Sequence, residues 1–236
     1  LIVVIARILS FFANGVFALL VLGAAVPGTH RVAMPGAYGL TEIAPRIWTD
    51  APSRADGLLS LVEVSRARVI DFFGDATRQN IILCSTQTCA RTFRIGGNGL
   101  SIANFAVMVS PGGLTRGTLT HELVHSRLHR SIGFENILRP MYPTWFDEGL
   151  ATYVAGHPNW QGKIPASVRK RVLSAKRTWH WGKAYREVGV RRAYGVAAAE
   201  VASIERRAGR TGLMEIITRA EAGEKFATVL IDVLAR

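Results

Sequence analysis

Thr118-Leu119-Thr120-His121-Glu122-Leu123-Val124-His125-Ser126-Arg127-Leu128-His129 contains the pattern H-E-x-x-H at His121, Glu122 and His125. Residues four apart on an α-helix lie one above the other, so His121 and His125 can present two imidazole nitrogens to one metal ion, with Glu122 beside them. At ~100° per residue, His121, Glu122, His125 and His129 share one polar stripe. Leu119 and Leu123 flank it on one side, Val124 and Leu128 on the other, and Arg127 falls opposite. A helix so patterned is buried on most sides. A buried imidazole or carboxylate without a partner is costly, and a divalent cation is a partner that suits all of them. Two helical histidines can also be ordinary polar or core residues; a third ligand separates the two readings.

Downstream, Trp145-Phe146-Asp147-Glu148-Gly149-Leu150-Ala151 follows Pro143 and Thr144 and reads as a helix start, with Glu148 in its first turns and Gly156 as its stop. Gly149 and Ala151 are small enough to let this helix approach the H-E-x-x-H helix closely. H-E-x-x-H followed about two dozen residues later by W-F-D-E-G-L-A resembles the gluzincin metallopeptidases, the peptidase-MA-like group. The resemblance implies a zinc ion held by His121, His125 and Glu148, with Glu122 as the catalytic base. Donor chemistry agrees, because open catalytic zinc sites use His/His/Glu sets whereas closed structural sites usually use cysteines. His129 lies two turns beyond His121, a rise of ~12 Å, too far to share an ion at ~2 Å ligand distances. The metzincin histidine position, six residues after His125, holds Ser131, and Cys84 and Cys89 are not spaced as a zinc knuckle.

The same resemblance implies an oxyanion donor from a later Tyr or His. Tyr194 is the first candidate, with packing at a helix start as its alternative role, and His157, His180 and Tyr185 stand behind it. Some gluzincins place an Asp four residues after the glutamate ligand to orient a histidine, but that position is Thr152 here. Asp147, His129 or a backbone carbonyl would have to do that work.

Residues 1–26 are almost wholly apolar, interrupted mainly by Arg7 and Asn14, and the run from residue 8 to 26 is long enough to span a ~30 Å hydrocarbon core. We read them as a membrane-targeting segment, a signal anchor in preference to a signal peptide, since the run exceeds a usual signal core even though Gly23-Ala24-Ala25 offers a cleavage site. Such a segment places the rest outside the cytoplasm, membrane-anchored or exported, where Cys84 and Cys89 would close a short disulfide loop.

The expected fold class is α+β: the membrane-targeting helix, a small sheet with helices packed around the metal helix, and a helical C-terminal part. Pro and Gly at 27–45 read as a linker, leaving 46–236 as one domain. Ile47–Thr49, residues 81–83 and Ala106–Val109 read as strands. Residues 53–73 read as a helix capped by Ser53 and stopped by Gly74. Asn98-Gly99 reads as the turn of a hairpin between 92–95 and 100–102. Helices are expected over 192–208, ending at Gly209, and over 213–222 and 226–235.

The chain carries a formal net charge of +12. Much of it lies between Lys163 and Arg192, where ten Lys and Arg face only Glu187, with Trp179, Trp181 and Tyr185 interleaved. A solvated helix face or an anionic membrane surface accounts for this composition. Nucleic acid is disfavoured, because no recognition motif accompanies the charge. The gluzincin resemblance implies that an aminopeptidase of this group would grip the substrate ammonium with a glutamate upstream of the metal helix; no Asp or Glu lies between Asp75 and Glu122, which argues against an aminopeptidase and for an endopeptidase, with Ala106–Val109 as a docking edge for extended peptide. Three classes therefore stand: a membrane-tethered or exported zinc endopeptidase acting on peptide or protein; a zinc-binding interaction module without catalysis; and a membrane or nucleic-acid binder working through its basic face.

Overall fold

In the computed structural model, residues 29–131, 140–156 and 163–236 are described. The apolar segment 1–26 and His157 lie outside them. Among the described residues no helix is long and apolar enough to cross a membrane.

Five strands form one mixed sheet: β1 (Thr41–Ala44), β2 (Ile47–Thr49), β3 (Asn80–Leu83), β4 (Gly99–Ile102) and β5 (Ala106–Val109). Their order is β1-β2-β3-β5-β4. β2, β3 and β5 run parallel, while β1 and β4 close the two edges antiparallel. The sequence explains which strands are central. Residues 81–83 of β3 and Ala106–Val109 are runs of apolar residues without polar alternation, as expected of parallel strands covered on both faces.

Successive side chains point to opposite faces, and the two cores follow that alternation. Ile81, Leu83, Val107 and Val109 point to the larger core. It is shared with α2 (Ala55–Phe73), α4 (Arg116–Leu128) and α5 (Thr144–Val154). Ile82, Cys84, Ala106 and Met108 point the other way, onto Val32, Leu40, Cys89, Ala90 and Phe93. These come from α1 (Thr29–Ala33), the segment after it and α3 (Gln87–Thr92). Residues 29–44 are therefore part of the fold, correcting the linker expectation. Val32 and Leu40 are core residues, and Asn80 Nδ2 donates to the Val32 carbonyl at 2.8 Å.

Three further local expectations change. The hairpin joins β4 to β5 and turns at 103–105, where Ala103 has φ 44°. Residues 92–95 do not pair, because α3 ends at Thr92 and the chain turns directly after it, with Arg94 at φ 55°. Thr86 caps α3 by accepting from the Cys89 N–H at 3.2 Å, and Cys89 is disulfide-bonded to Cys84. β5 is hydrogen-bonded on both sides, to β3 and β4, and offers no docking edge; the edge on that side is β4. Ser53 lies in a 3-10 turn, Pro52–Arg54, and does not cap α2, whose end at Gly74 (φ 80°) does follow from the sequence.

The C-terminal part is helical: α6 (Ala166–Leu173), α7 (Thr178–Val188), α8 (Val190–Glu221) and α9 (Phe226–Leu234). Gly209, at φ 72° and ψ 173°, breaks α8 where the sequence places a stop. α5 packs against α8 through Gly149, whose added Cβ would stand 2.6 Å from the Ala197 carbonyl oxygen. The close approach permitted by Gly149 is thus to α8 and not to α4. In the basic span, Arg169 pairs with Glu200 and Arg171 with Glu187, while Lys170, Lys176, Lys183 and Arg186 are exposed.

Arg127, opposite the histidine stripe, is buried rather than solvated. It pairs with Asp75, just past α2, and through Nη1 with Glu221 Oε1 at 2.8 Å, at the end of α8. Arg130 contacts the same two carboxylates at 2.6 and 2.8 Å. The network clamps the C-terminal end of α4 between α2 and α8, and so fixes the helix that carries the histidines.

Candidate metal centre

Thr115 starts α4 by accepting from the Thr118 N–H at 3.2 Å, and Leu119, Leu123, Val124 and Leu128 bury its flanks. The face left over carries His121, Glu122 and His125, and α5 lies across it. His121 Nε2 and His125 Nε2 are 3.0 Å apart. Glu148 Oε2 is 3.3 Å from the first and 3.5 Å from the second.

These three atoms form a nearly equilateral triangle. Ligand atoms around a tetrahedral ion with bonds of ~2.0–2.1 Å stand ~3.3–3.4 Å apart, close to the separations seen. Glu148 Oε2 is buried and has no hydrogen-bond partner. An orphaned carboxylate oxygen facing two imidazole nitrogens is what a cation corrects, so the residues fit a metal ion. Among the described residues, His121, His125 and Glu148 are the set able to hold one.

The surroundings set ligand orientation and charge. Asp147 Oδ1 is 2.9 Å from His125 Nδ1, and Oδ2 is 3.0 Å from His129 Nε2. An Nδ1–H of His125 donating to Asp147 leaves Nε2, which faces Glu148 and His121, as the nitrogen that binds a metal once its proton is lost. Burial opposes ionisation of Asp147, but the contacts with His129 and His125 outweigh it and hold the carboxyl far below the usual range. Burial likewise opposes the charge on Glu148, yet the two histidines hold its pKa at about 2. Burial lowers and the Asp147 carboxylate raises His125, which ends well above 6.5 in the metal-free protein. Thr152, in place of an orienting Asp, donates to the Glu148 carbonyl at 2.7 Å.

Glu122 is off the ligand triangle. Burial pushes its carboxyl up, with His125 and His121 pulling it partly back. It lies against the start of β4, where a Cβ on Gly99 would stand 2.6 Å from Glu122 Cγ. Only a glycine lets the strand pass this close.

His121 and Glu122 open into a cavity of about 540 Å3, also lined by Gly99, Thr118, Tyr194 and Arg191. Tyr194, at the start of α8, has its ring centroid 5.9 Å from that of His121 and 5.1 Å from Trp181. Burial and the charge of Glu148 raise its phenol, keeping the hydroxyl protonated as a donor. Of the other oxyanion candidates, His180 is exposed beside Trp179, and Tyr185 packs on the core. Neither lines the cavity.

Sequence reasoning did not single out Arg191 or the Gly99 contact. Val190, Arg191, Tyr194 and Gly195 share one helical face, a spacing that points to Arg191 once Tyr194 is a candidate.

The chain matches no protein-family model, no curated protein and no solved structure. The described residues form an α+β protein with a His121/His125/Glu148 cluster able to hold a metal ion in an H-E-x-x-H setting.

Proposed function

We propose that this protein is a zinc endopeptidase of gluzincin type, held at a membrane or exported by its N-terminal segment. The observation that carries the reading is the convergence of His121 Nε2, His125 Nε2 and the orphaned Glu148 Oε2, with Glu122 next to the triangle but outside it. A metal held by three protein ligands keeps a further position open, and a base beside it has a task there. When bound, zinc supplies a Lewis acid that polarises a carbonyl and lowers the pKa of water.

The chain's own residues then divide the work. Glu122 takes the proton of the attacking water and passes it to the leaving amine, a task its place beside the ligand triangle but outside it allows. Tyr194 donates its hydroxyl toward charge developing on the carbonyl oxygen. Asp147 holds the His125 ring in place. β4, the edge strand beside Glu122, replaces Ala106–Val109 as the place for an extended peptide to dock.

The apolar segment 1–26 and the Cys84–Cys89 disulfide support an extracytoplasmic location, where such bonds persist. The exposed lysines of α6 and α7, with Trp179 64% exposed, suit a protein lying against an anionic membrane.

The test compares zinc-loaded wild type with Glu122→Gln on a broad peptide library, with metal content measured in both. Zinc is retained by both, and hydrolysis falls by ~10²- to 10⁴-fold in the variant, the usual contribution of a general base. Equal rates would remove Glu122 as the base, and no cleavage by either protein would turn the assignment to a zinc-binding module without catalysis.

A further inference from the structure

We propose that Arg191 receives a carboxylate of the bound peptide, making acidic substrates the preferred class; the proposal rests on the peptidase reading above. Arg191 lines the same cavity as His121 and Glu122 and is exposed at its wall. Among the described residues no carboxylate pairs with it. Several arginines of the helical part do have one, among them Arg169 with Glu200, Arg171 with Glu187, Arg210 with Glu205 and Arg219 with Glu224; Arg186, Arg206 and Arg207 also lack one among the described residues, but of these arginines only Arg191 lines the cavity.

Its position adds to its charge. Arg191 lies in the first turn of α8, whose Val190 and Arg191 line the cavity, and no acidic residue in that turn offsets the partial positive charge of the helix start. The lining carboxylate, Glu122, is committed to the proton, and Gly97, Asn98, Thr118 and Thr152 are neutral. A cationic substrate side chain is repelled here, whereas a carboxylate meets a planar donor able to bind it in two places.

Two sources supply that carboxylate: an Asp or Glu side chain near the scissile bond, or the free C-terminus of the peptide. The experiment separates them. Degenerate peptide pools carry a fixed Glu or a fixed Gln at one central position, each with a free or an amidated C-terminus. Cleavage by the zinc-loaded protein is measured for wild type, Arg191→Ala and Arg191→Glu. Binding of the same pools is measured with zinc-loaded Glu122→Gln, with and without Arg191→Ala.

Wild type should prefer a carboxylate by about tenfold, the factor expected of one charge-assisted contact. A preference for Glu over Gln identifies the side chain, and one for free over amidated ends identifies the C-terminus. Arg191→Ala should bring that ratio to about one with zinc content unchanged, and Arg191→Glu should shift cleavage toward a matching pool with fixed Lys. If wild type cleaves nothing, the peptidase reading fails and binding alone judges Arg191. Absent binding, or cleavage and binding ratios that Arg191→Ala leaves unaltered, overturns the proposal.

Discussion

Asp147 Oδ1 stands 2.9 Å from Nδ1 of His125, in the position of an acceptor that fixes the ring of a metal-binding histidine. Asp147 immediately precedes Glu148, so one turn of α5 delivers both the carboxylate that faces the two Nε2 atoms and the one that orients a ring behind them. The other oxygen of Asp147 reaches His129, just past the end of α4, which gives this histidine a place without a ligand role.

Asp147→Asn keeps the shape and removes the charge that supports His125. Zinc affinity should weaken by ~10- to 100-fold, the usual effect of losing such a partner. Competition against a chelator measures it. An unchanged dissociation constant would show that the contact does not support the metal site.

Zinc binding should strengthen as pH rises. In the metal-free protein burial lowers and Asp147 raises His125, leaving it well above 6.5, and the added proton occupies Nε2, the nitrogen that faces Glu148. That proton competes with zinc. A folded pKa above the unfolded one stabilises the metal-free fold fully below about 6.5, and that stabilisation is lost as pH rises through the folded value. The Tm difference between zinc-loaded and metal-free protein should therefore widen from about pH 5 to about pH 9. A difference independent of pH would exclude His125 Nε2 as a ligand.

Arg127→Ala leaves Glu221, whose side chain is only 9% exposed, without one of its two arginines. Breaking a buried ion pair from one side costs ~3–5 kcal/mol, although Arg130 can still reach both carboxylates and should hold the loss to the lower part of that range. Urea denaturation measures it. A loss below ~1 kcal/mol, the scale of a surface ion pair, would show that the network does not clamp α4.

Gly149→Val should separate α5 from α8, because even a Cβ would meet the Ala197 carbonyl oxygen at 2.6 Å. Overpacking of this kind costs ~1–3 kcal/mol or more, and here it also displaces the adjacent Glu148. Expected together are a lowered Tm and a lowered zinc stoichiometry by elemental analysis. Full stoichiometry with wild-type Tm would contradict the packing described.

Features that depend on neighbours along the chain were legible in the sequence. The stripe of His121, Glu122 and His125 between apolar flanks needs only helical periodicity, and it lies as read. Gly74 and Gly209 end helical stretches because of their own backbone freedom. The unalternated apolar runs of β3 and β5 announce central strands. Cys84 and Cys89 are five residues apart and bonded.

Features that depend on which distant surfaces meet were not legible. Asn98-Gly99 has the local chemistry of a hairpin turn, yet Gly99 begins β4 and pairs with Val109, and it passes Glu122 where a Cβ would stand 2.6 Å from Cγ. Arg127 falls on the outer face of α4 by periodicity, but Asp75 and Glu221 arrive from 52 and 94 residues away to cover it. Val32 and Leu40 look like linker until the second face of the sheet requires a cover. Periodicity specifies a helix and the residues that share its face; only the packing of α5 onto α4 and of α8 onto α5 decides that Asp147 stands behind His125, that Glu148 stands before it, and that Arg191 and Tyr194 close the wall of the cavity.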